Sequence, residues 1–177
     1  MNITTHTKRS FDPLEAHPED IDIRDVAHSL SLLCRANGHF PHFYSVGQHC
    51  LACMREAAAR GYSRRVQLGC LLHDGGEAYL SDVIRPIKAR MPEYVEREEV
   101  LQNLIFDKWI TPALTEEERE LIFTVDDDML YYEFLSLMGI PLWEEPRQLV
   151  TKPDLACVPF AEVEEAYVLA LKALTGE

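Results

Sequence analysis

The sequence lacks any long apolar run, and this absence argues against two classes of protein. No stretch of about eighteen consecutive apolar residues occurs in the 177 residues, so no transmembrane helix is expected. The opening residues, MNITTHTKRS, carry no apolar stretch behind the basic ones, which is unlike a secretory signal. We therefore expect a cytoplasmic protein that has no membrane partner.

Basic residues are scarce. The chain has 17 Lys and Arg residues against 30 Asp and Glu residues, for a net charge of −13. Such a surface repels phosphate backbones, so a nucleic-acid polymer is not an expected partner. A small phosphorylated substrate remains compatible with this charge if a cation offsets the negative field at the binding site.

The cysteine count is odd and the sequence shows no disulfide framework. Without a signal peptide, five cysteines predict reduced thiols. Cys50-x-x-Cys53 matches half of a redox or zinc motif, but no second ligand pair lies nearby. We interpret both as small apolar residues on a helix. The five are Cys34, Cys50, Cys53, Cys70 and Cys157.

Internal repeats, low-complexity stretches and Gly/Ser linkers are also missing, so residues 1–177 are expected to form a single domain. Residues 1–20 show no periodicity and contain Pro13 and Pro18, which predicts an extended N-terminal arm. Alternating strand patterns are nearly absent. The fold class predicted from these features is all-α.

Apolar residues recur instead at helical spacing, and they predict about six main helices. Asp22, Ser45, Ser63 and Thr115 are residue types that favour helix starts. The third helix is apolar nearly all round, so it should lie at the centre of the core. A long, proline-containing connection of residues 140–160 precedes the last helix. The predicted helices are residues 23–35, 46–60, 63–79, 93–109, 115–139 and 161–174.

The third predicted helix contains an unusual stretch, His73-Asp74-Gly75-Gly76-Glu77. A charged Asp beside a His in the most apolar helix is costly unless something compensates the charge. Two glycines weaken a helix interior by about 1 kcal/mol each. A divalent cation would compensate Asp74 and accept a lone pair from His73. Glu77 shares a helical face with His73 and would contact a molecule bound to the ion.

Two other positions also carry polar or charged residues within an apolar helical pattern. His49 is flanked by apolar residues, and Asp126-Asp127-Asp128 lies inside an apolar-periodic helix, where three adjacent acids cannot all face solvent. Two His and two Asp side chains would suit Mn, Fe, Co, Ni or Zn. A buried His is more often a satisfied core residue, and an acidic run is more often a solvated face. These residue types alone therefore leave a metal site as one interpretation among others.

The ordered pattern His49, His73-Asp74 and Asp126 resembles the HD-domain phosphohydrolase superfamily. The similarity is closer to its small bacterial and phage 5′-deoxynucleotidase branch, over about Ile21 to Glu133. The matching pieces are Asp22-Ile23 through Leu30-Ser31, Cys34-Arg35, Gly38-His39, His42-Phe43-Tyr44-Ser45-Val46-x-x-His49, Leu72-His73-Asp74-x-x-Glu77-Ala78-Tyr79-x-x-Asp82-x-x-x-Pro86-x-Lys88, and Asp126 with Glu133 seven residues on.

The resemblance implies a compact helical bundle of the HD-domain type and assigns roles to individual residues. Its ligands for one divalent transition metal (Mn, Co, Zn, Fe or Ni) would be His49, His73, Asp74 and Asp126. The catalytic acids or bases beside the metal would be Glu77 and Asp82. The residues near the substrate would be Arg35, which matches phosphate oxygens in bidentate fashion, and His39, His42 and Lys88.

Two departures from the family pattern matter. Cys50 follows the first ligand where relatives commonly have Ser, and the distal ligand lies in a run of three acids where relatives usually have small or basic residues. Asp126 gives the seven-residue spacing to Glu133, while Asp127 remains an alternative ligand.

The activity that the resemblance implies is release of phosphate from deoxynucleoside 5′-monophosphates. One alternative is a deoxynucleoside triphosphate triphosphohydrolase of the dATP type on the same site. Another is a nucleotide-binding regulator without turnover. The resemblance also implies a homo-oligomer, a dimer or larger.

Overall fold

The computed structural model describes residues 2–176, so Met1 and Glu177 of the predicted domain lie outside the described residues. The secondary structure is almost entirely helical, and six helices are nine residues or longer. The predicted all-α class with six main helices is confirmed. The helices are Ile23–Leu32 (α1), Val46–Ala59 (α2), Arg64–Leu72 (α3), Glu77–Leu80 (α4), Arg85–Lys88 (α5), Pro92–Trp109 (α6), Glu116–Met138 (α7) and Phe160–Thr175 (α8).

The N-terminal arm is more ordered than its sequence predicted. Ile3–Thr4 (β1) and Ser10–Phe11 (β2) pair as a short antiparallel hairpin, in which Ile3 lies opposite Phe11. Phe11 is buried, and its ring stacks on Tyr79 with centroids 4.2 Å apart. A single 3-10 turn, Pro18–Asp20, then leads into α1. Burial of Phe11 attaches the arm to the bundle.

The predicted helix starts are confirmed by their hydrogen bonds. The Asp22 carboxylate accepts from the Arg24 amide, and the Ser63 hydroxyl accepts from the Val66 amide. Ser45 and Thr115 each form a reciprocal capping box with the residue three positions on. These side chains satisfy amide groups that the first turn of a helix leaves unpaired.

The first helix ends earlier than predicted, at Leu32 instead of Arg35. Leu33 and Cys34 are extended, and Cys34 forms an isolated antiparallel bridge with Ser45. The Arg35 amide donates to the Tyr44 carbonyl at 2.8 Å. Pairing with the chain just before α2 therefore takes over the backbone groups that would have continued the helix.

The third helix also ends earlier than predicted, at Leu72 instead of Tyr79. Residues 73–76 form turns, and α4 begins again at Glu77. A Cβ atom at Gly75 would lie 3.0 Å from both the Ile105 side chain and the Leu72 carbonyl. The glycine thus allows α6 to approach closely, and this turn carries His73 and Asp74.

The third helix lies at the centre of the core, as its apolar sequence predicted. Leu71 and Leu72 are completely buried, and the helix packs against α2, α7 and α8. The Tyr167 hydroxyl of α8 donates to the Leu71 carbonyl. Across residues 2–176, no helix has the length and apolar character needed to cross a membrane.

Candidate metal centre

The packing of α2, α3 and α7 brings the four predicted metal ligands together. His49 lies on α2, His73 ends α3, Asp74 follows in the turn, and Asp126 lies on α7. His49 Nε2 is 3.2 Å from His73 Nε2 and 3.0 Å from Asp126 Oδ1. Asp74 Oδ2 is 3.3 Å from His73 Nε2 and 3.9 Å from His49 Nε2. The last measured edge, His73 Nε2 to Asp126 Oδ1, is 3.6 Å.

These separations match those expected for ligands of one transition-metal ion. Ligand atoms about 2.1 Å from an ion lie about 3.0 Å apart in octahedral geometry and about 3.4 Å apart in tetrahedral geometry. The measured edges run from 3.0 to 3.9 Å. Small side-chain movements would therefore bring all four atoms within bonding distance of an ion.

Hydrogen bonds on the far side of each imidazole favour metal binding. His49 Nδ1 is 2.7 Å from Glu133 Oε1, and His73 Nδ1 is 2.8 Å from the Cys70 carbonyl. Each Nδ1–H can donate there, which leaves the Nε2 lone pairs pointing into the cluster. Asp74 Oδ2 is buried and accepts no hydrogen bond. Two lone pairs and two carboxylates facing one another favour a proton or a cation between them.

The electrostatic field of the site favours a positive charge. Burial opposes a charge on His73, but Asp74, Cys50 and Asp126 together outweigh it and raise the pKa of His73 well above its usual value. Burial also opposes the negative charge of Asp126, but hydrogen bonds with His49 and His73 hold the pKa of Asp126 well below its ordinary value. The field that favours a proton here would equally favour a metal ion.

Asp126 is the acid of the Asp126–Asp128 run that contacts both histidines. Its neighbours pair with arginines, and Arg85 also donates to Asp126 Oδ2 at 2.9 Å. Arg85 donates to Asp127 at 2.7 Å, and Arg60 donates to Asp128 at 2.9 Å. The geometry thus favours Asp126 over Asp127 as the distal ligand.

Two cysteines adjoin the cluster, and their interpretation as apolar helix residues missed this contact. Cys53 Sγ lies 3.5 Å from His49 Nε2. Cys50 lies in a group with His73 and Asp74 in which one ligand atom of each residue is within 4.8 Å of the others. Burial raises the pKa of the Cys50 thiol to about 11. The signal in the sequence was the four-residue spacing between His49 and Cys53, which puts both on one face of α2.

Glu77 and Asp82, the predicted catalytic acids, lie close to the cluster. Glu77 is 6% exposed, and its Oε2 atom is buried without a hydrogen bond. Burial, then the charges of Asp74 and Asp82, raise the pKa of Glu77 well above its usual value. Burial also raises the pKa of Asp82. Both acids would therefore hold a proton at a higher pH than an exposed carboxyl group.

The four residues predicted to lie near the substrate differ in their contacts. Arg35 is 3.5 Å from Asp74 and 3.4 Å from Glu133, so its guanidinium group faces the cluster. Lys88 donates to Glu98 at 2.7 Å and lies 3.8 Å from Glu77.

The two predicted substrate histidines stand apart from these contacts. His39 is exposed, and the His42 ring pairs with the Leu155 carbonyl at 2.7 Å. Among the described residues, no hydrogen bond or ion pair joins either histidine to the cluster. Their role stays a prediction.

A cavity of about 260 Å³ opens beside the cluster. Two of its lining residues, Arg119 and Phe123, were not singled out from the sequence. They lie seven and three residues before Asp126 on α7, so they share its helical face. Phe123 is 60% exposed, and the Arg85 guanidinium lies 5.8 Å from its ring centroid. The cavity is lined by His73, Asp74, Phe106, Arg119, Ile122, Phe123 and Asp126.

Comparison with known proteins identifies relatives but does not assign an activity. The chain is 36% identical over 112 residues to the uncharacterized protein YfdR of Escherichia coli. The aligned segment covers 63% of this chain and 60% of the relative. It is 38% identical over 112 residues to an uncharacterized protein of Rhodobacter capsulatus, covering 60% of this chain and 57% of the relative. The matched segment thus spans less than two thirds of either relative. No family model matches the chain.

Proposed function

We propose that this chain is a metal-dependent phosphohydrolase that releases phosphate from deoxynucleoside 5′-monophosphates. The observation that carries the proposal is the convergence of two imidazole nitrogens and two carboxylates on one point at the wall of a cavity. A bound transition-metal ion would supply Lewis-acid activation of the phosphoryl group and lower the pKa of water towards about 7.

Glu77 is suited to proton transfer in this reaction. Its raised pKa keeps the carboxyl group protonated nearer to neutral pH, so it can donate a proton to the departing ester oxygen. Lys88, 3.8 Å away, provides a cation beside the same carboxyl group. Asp82, whose pKa is also raised, is the second candidate for holding or moving a proton.

The cavity provides the groups that a nucleotide needs for binding. The Arg119 guanidinium carries charge for a phosphate, and the exposed Phe123 ring offers a surface on which a base can stack. Both lie on the same face of α7 as the proposed ligand Asp126. The helix would therefore fix the positions of the phosphate and base contacts relative to the metal centre.

The size of the cavity favours a monophosphate over a triphosphate. Its volume of about 260 Å³ is small beside the ~300–1,000 Å³ that is usual for ligand pockets. The net charge of −13 also disfavours the more highly charged nucleotide. A triphosphohydrolase on the same site is therefore the second candidate function.

The test is a product screen with metal-stripped protein that has been reloaded with Mn, Co, Zn or Mg. Deoxynucleoside monophosphates and triphosphates are incubated with each form, with a chelator and the Asp74→Asn variant as controls, and products are separated by chromatography. We expect phosphate release from monophosphates. Triphosphate as the product would move the assignment to the second candidate. Bound metal without any turnover would reject both hydrolase assignments in favour of a binding protein.

A further inference from the structure

A second group of metal-ligating side chains lies outside the candidate metal centre. His28 Nδ1 is 2.9 Å from Glu164 Oε2, and the His6 ring stacks on the His28 ring with centroids 3.7 Å apart. One ligand atom from each of the three residues lies within 4.8 Å of the other two. We propose that these residues bind a second transition-metal ion of the zinc class, which fastens the N-terminal hairpin to the bundle.

The three residues come from three separate elements. His6 lies in the turn of the hairpin, His28 on α1 and Glu164 on α8. An ion held by all three would cross-link the hairpin to two helices that already pack against each other.

The hairpin is held in a position that presents His6 to this site. The Thr7 amide donates to Asp25 Oδ1 at 2.6 Å, and the Thr7 hydroxyl donates to Asp25 Oδ2 at 2.8 Å. Asp25 is 3% exposed and lies one helical turn before His28 on α1. The residue next to His6 is therefore fixed to the same face of α1 that carries His28.

The ligand types define the class of ion. Two imidazole nitrogens and one carboxylate form a three-ligand zinc set with a fourth position open to water. The 2.9 Å separation of His28 Nδ1 and Glu164 Oε2 needs to widen by only about 0.5 Å to reach the edge of about 3.4 Å expected between ligands of a tetrahedral ion. His6 needs only a side-chain rotation, because it is exposed and its ring makes no hydrogen bond with the other described residues.

The partial exposure of the group separates it from the candidate metal centre. The His28 and Glu164 side chains are each 25% exposed, whereas His49 is completely buried. Ions would therefore exchange more readily at the hairpin site, and the overall negative charge of the chain would raise their local concentration. This inference does not rest on the proposed phosphohydrolase activity.

The first test counts metal ions in the full chain. Protein stripped with a chelator is dialysed against buffer with a fixed concentration of free zinc and analysed for bound zinc per chain. We expect two ions in the parental chain, one in His28→Ala, and one in Asp74→Asn, which disables the candidate metal centre. His17→Ala is the matched control, because His17 belongs to the same N-terminal segment but to neither ligand group. Equal zinc content in His28→Ala and the parental chain would overturn the proposal.

The second test detects fastening of the hairpin without any activity assay. Lys8 and Arg9 are exposed in the hairpin and provide trypsin sites. In the Asp74→Asn background, zinc at ten times its dissociation constant should slow cleavage there roughly tenfold. Adding Glu164→Gln should remove this protection while leaving the Thr7 contacts with Asp25 in place. Cleavage that zinc does not slow in the Asp74→Asn chain would reject the cross-link.

Discussion

At the scale of single residues, Glu133 orients His49, a candidate metal ligand. Glu133 is completely buried, and its carboxylate accepts from His49 Nδ1 at 2.7 Å. Removing such a partner typically lowers metal affinity by about 10–100-fold. We expect Glu133→Ala to show a loss of this size in a zinc or manganese titration. Glu133→Gln retains an oxygen acceptor and should lose less. Equal affinities in all three proteins would show that this hydrogen bond does not orient the ligand.

Asp126 and Asp127 provide a matched pair of neighbouring carboxylates. Arg85 pairs with both carboxylates, but Asp126 also contacts both histidines. Asp126→Asn should therefore lose bound metal and activity, and Asp127→Asn should keep its metal content. Metal analysis after dialysis measures both. The reverse result would transfer the ligand role to Asp127.

Glu77 should affect the rate and not metal binding. Glu77→Gln is expected to keep its metal and to lower kcat by the ~10²–10⁴-fold that is typical of acid–base groups. Because the pKa of Glu77 is raised, the protonated acid is present below that pKa and is lost as pH increases through it. The parental rate should therefore fall at high pH, and the variant should lack that fall. Glu144→Gln, at an exposed position, is the control.

At the scale of elements, two glycines near the site should respond oppositely to the same substitution. A Cβ atom at Gly69 on α3 would collide with the Ile122 side chain on α7, whereas a Cβ atom at Gly76 meets only ordinary contacts, the nearest with Gln102 at 3.5 Å. Gly69→Ala should lower the free energy of unfolding by about 1–3 kcal/mol. Gly76 is helical in φ and ψ, so Gly76→Ala should raise it by about 0.4–1 kcal/mol. Urea unfolding measures both changes, and a stable Gly69→Ala protein would contradict close α3–α7 packing.

The sequence predicted the helices better than it predicted the residues that interrupt them. Capping residues such as Ser45 and Thr115 act over three or four positions, so their effect is visible in the sequence. The breaks after Leu32 and Leu72 depend on other elements. The first follows from the bridge between Cys34 and Ser45, and the second accompanies the close approach of α6 to Gly75.

In the candidate site too, residues recognisable from sequence spacing were predicted, and residues that depend on helix packing were not. The ordered His and Asp pattern led to the four candidate ligands that the fold brings together. Cys53 and Arg119 were missed because a thiol next to a histidine, or an arginine beside a cavity, depends on how helices pack. Sequence spacing showed which residues share a helical face, but not which faces meet.

At the scale of the whole molecule, Glu56 fastens the long connection between α7 and α8. Its carboxylate is completely buried and accepts from the Val150 and Thr151 amides, each at 2.8 Å. Burial opposes its charge, but hydrogen bonds from Thr151, Val150 and Arg60 outweigh this and lower the pKa of Glu56. Because the folded pKa is depressed, this stabilisation is present above the ordinary carboxyl pKa and is lost as pH falls below about 4.

Glu56→Gln should therefore destabilise the protein by about 1–3 kcal/mol at pH 7. The difference from the parental chain should shrink as pH falls, since the parental Glu56 is then also neutral. Urea unfolding at several pH values measures this, with the exposed Glu145→Gln as the control. A difference that does not vary with pH would exclude the charge of Glu56 as its source.

The wide spacing of the candidate ligands along the chain has a consequence for biosynthesis. His49 and Asp126 are 77 positions apart, so the last ligand leaves the ribosome only after most of α7 has been made. Ion capture would then be a late event that follows helix docking. Because affinities for competing divalent ions differ in a fixed order, the ion carried by freshly made protein would reflect which metals the cell holds available at that moment.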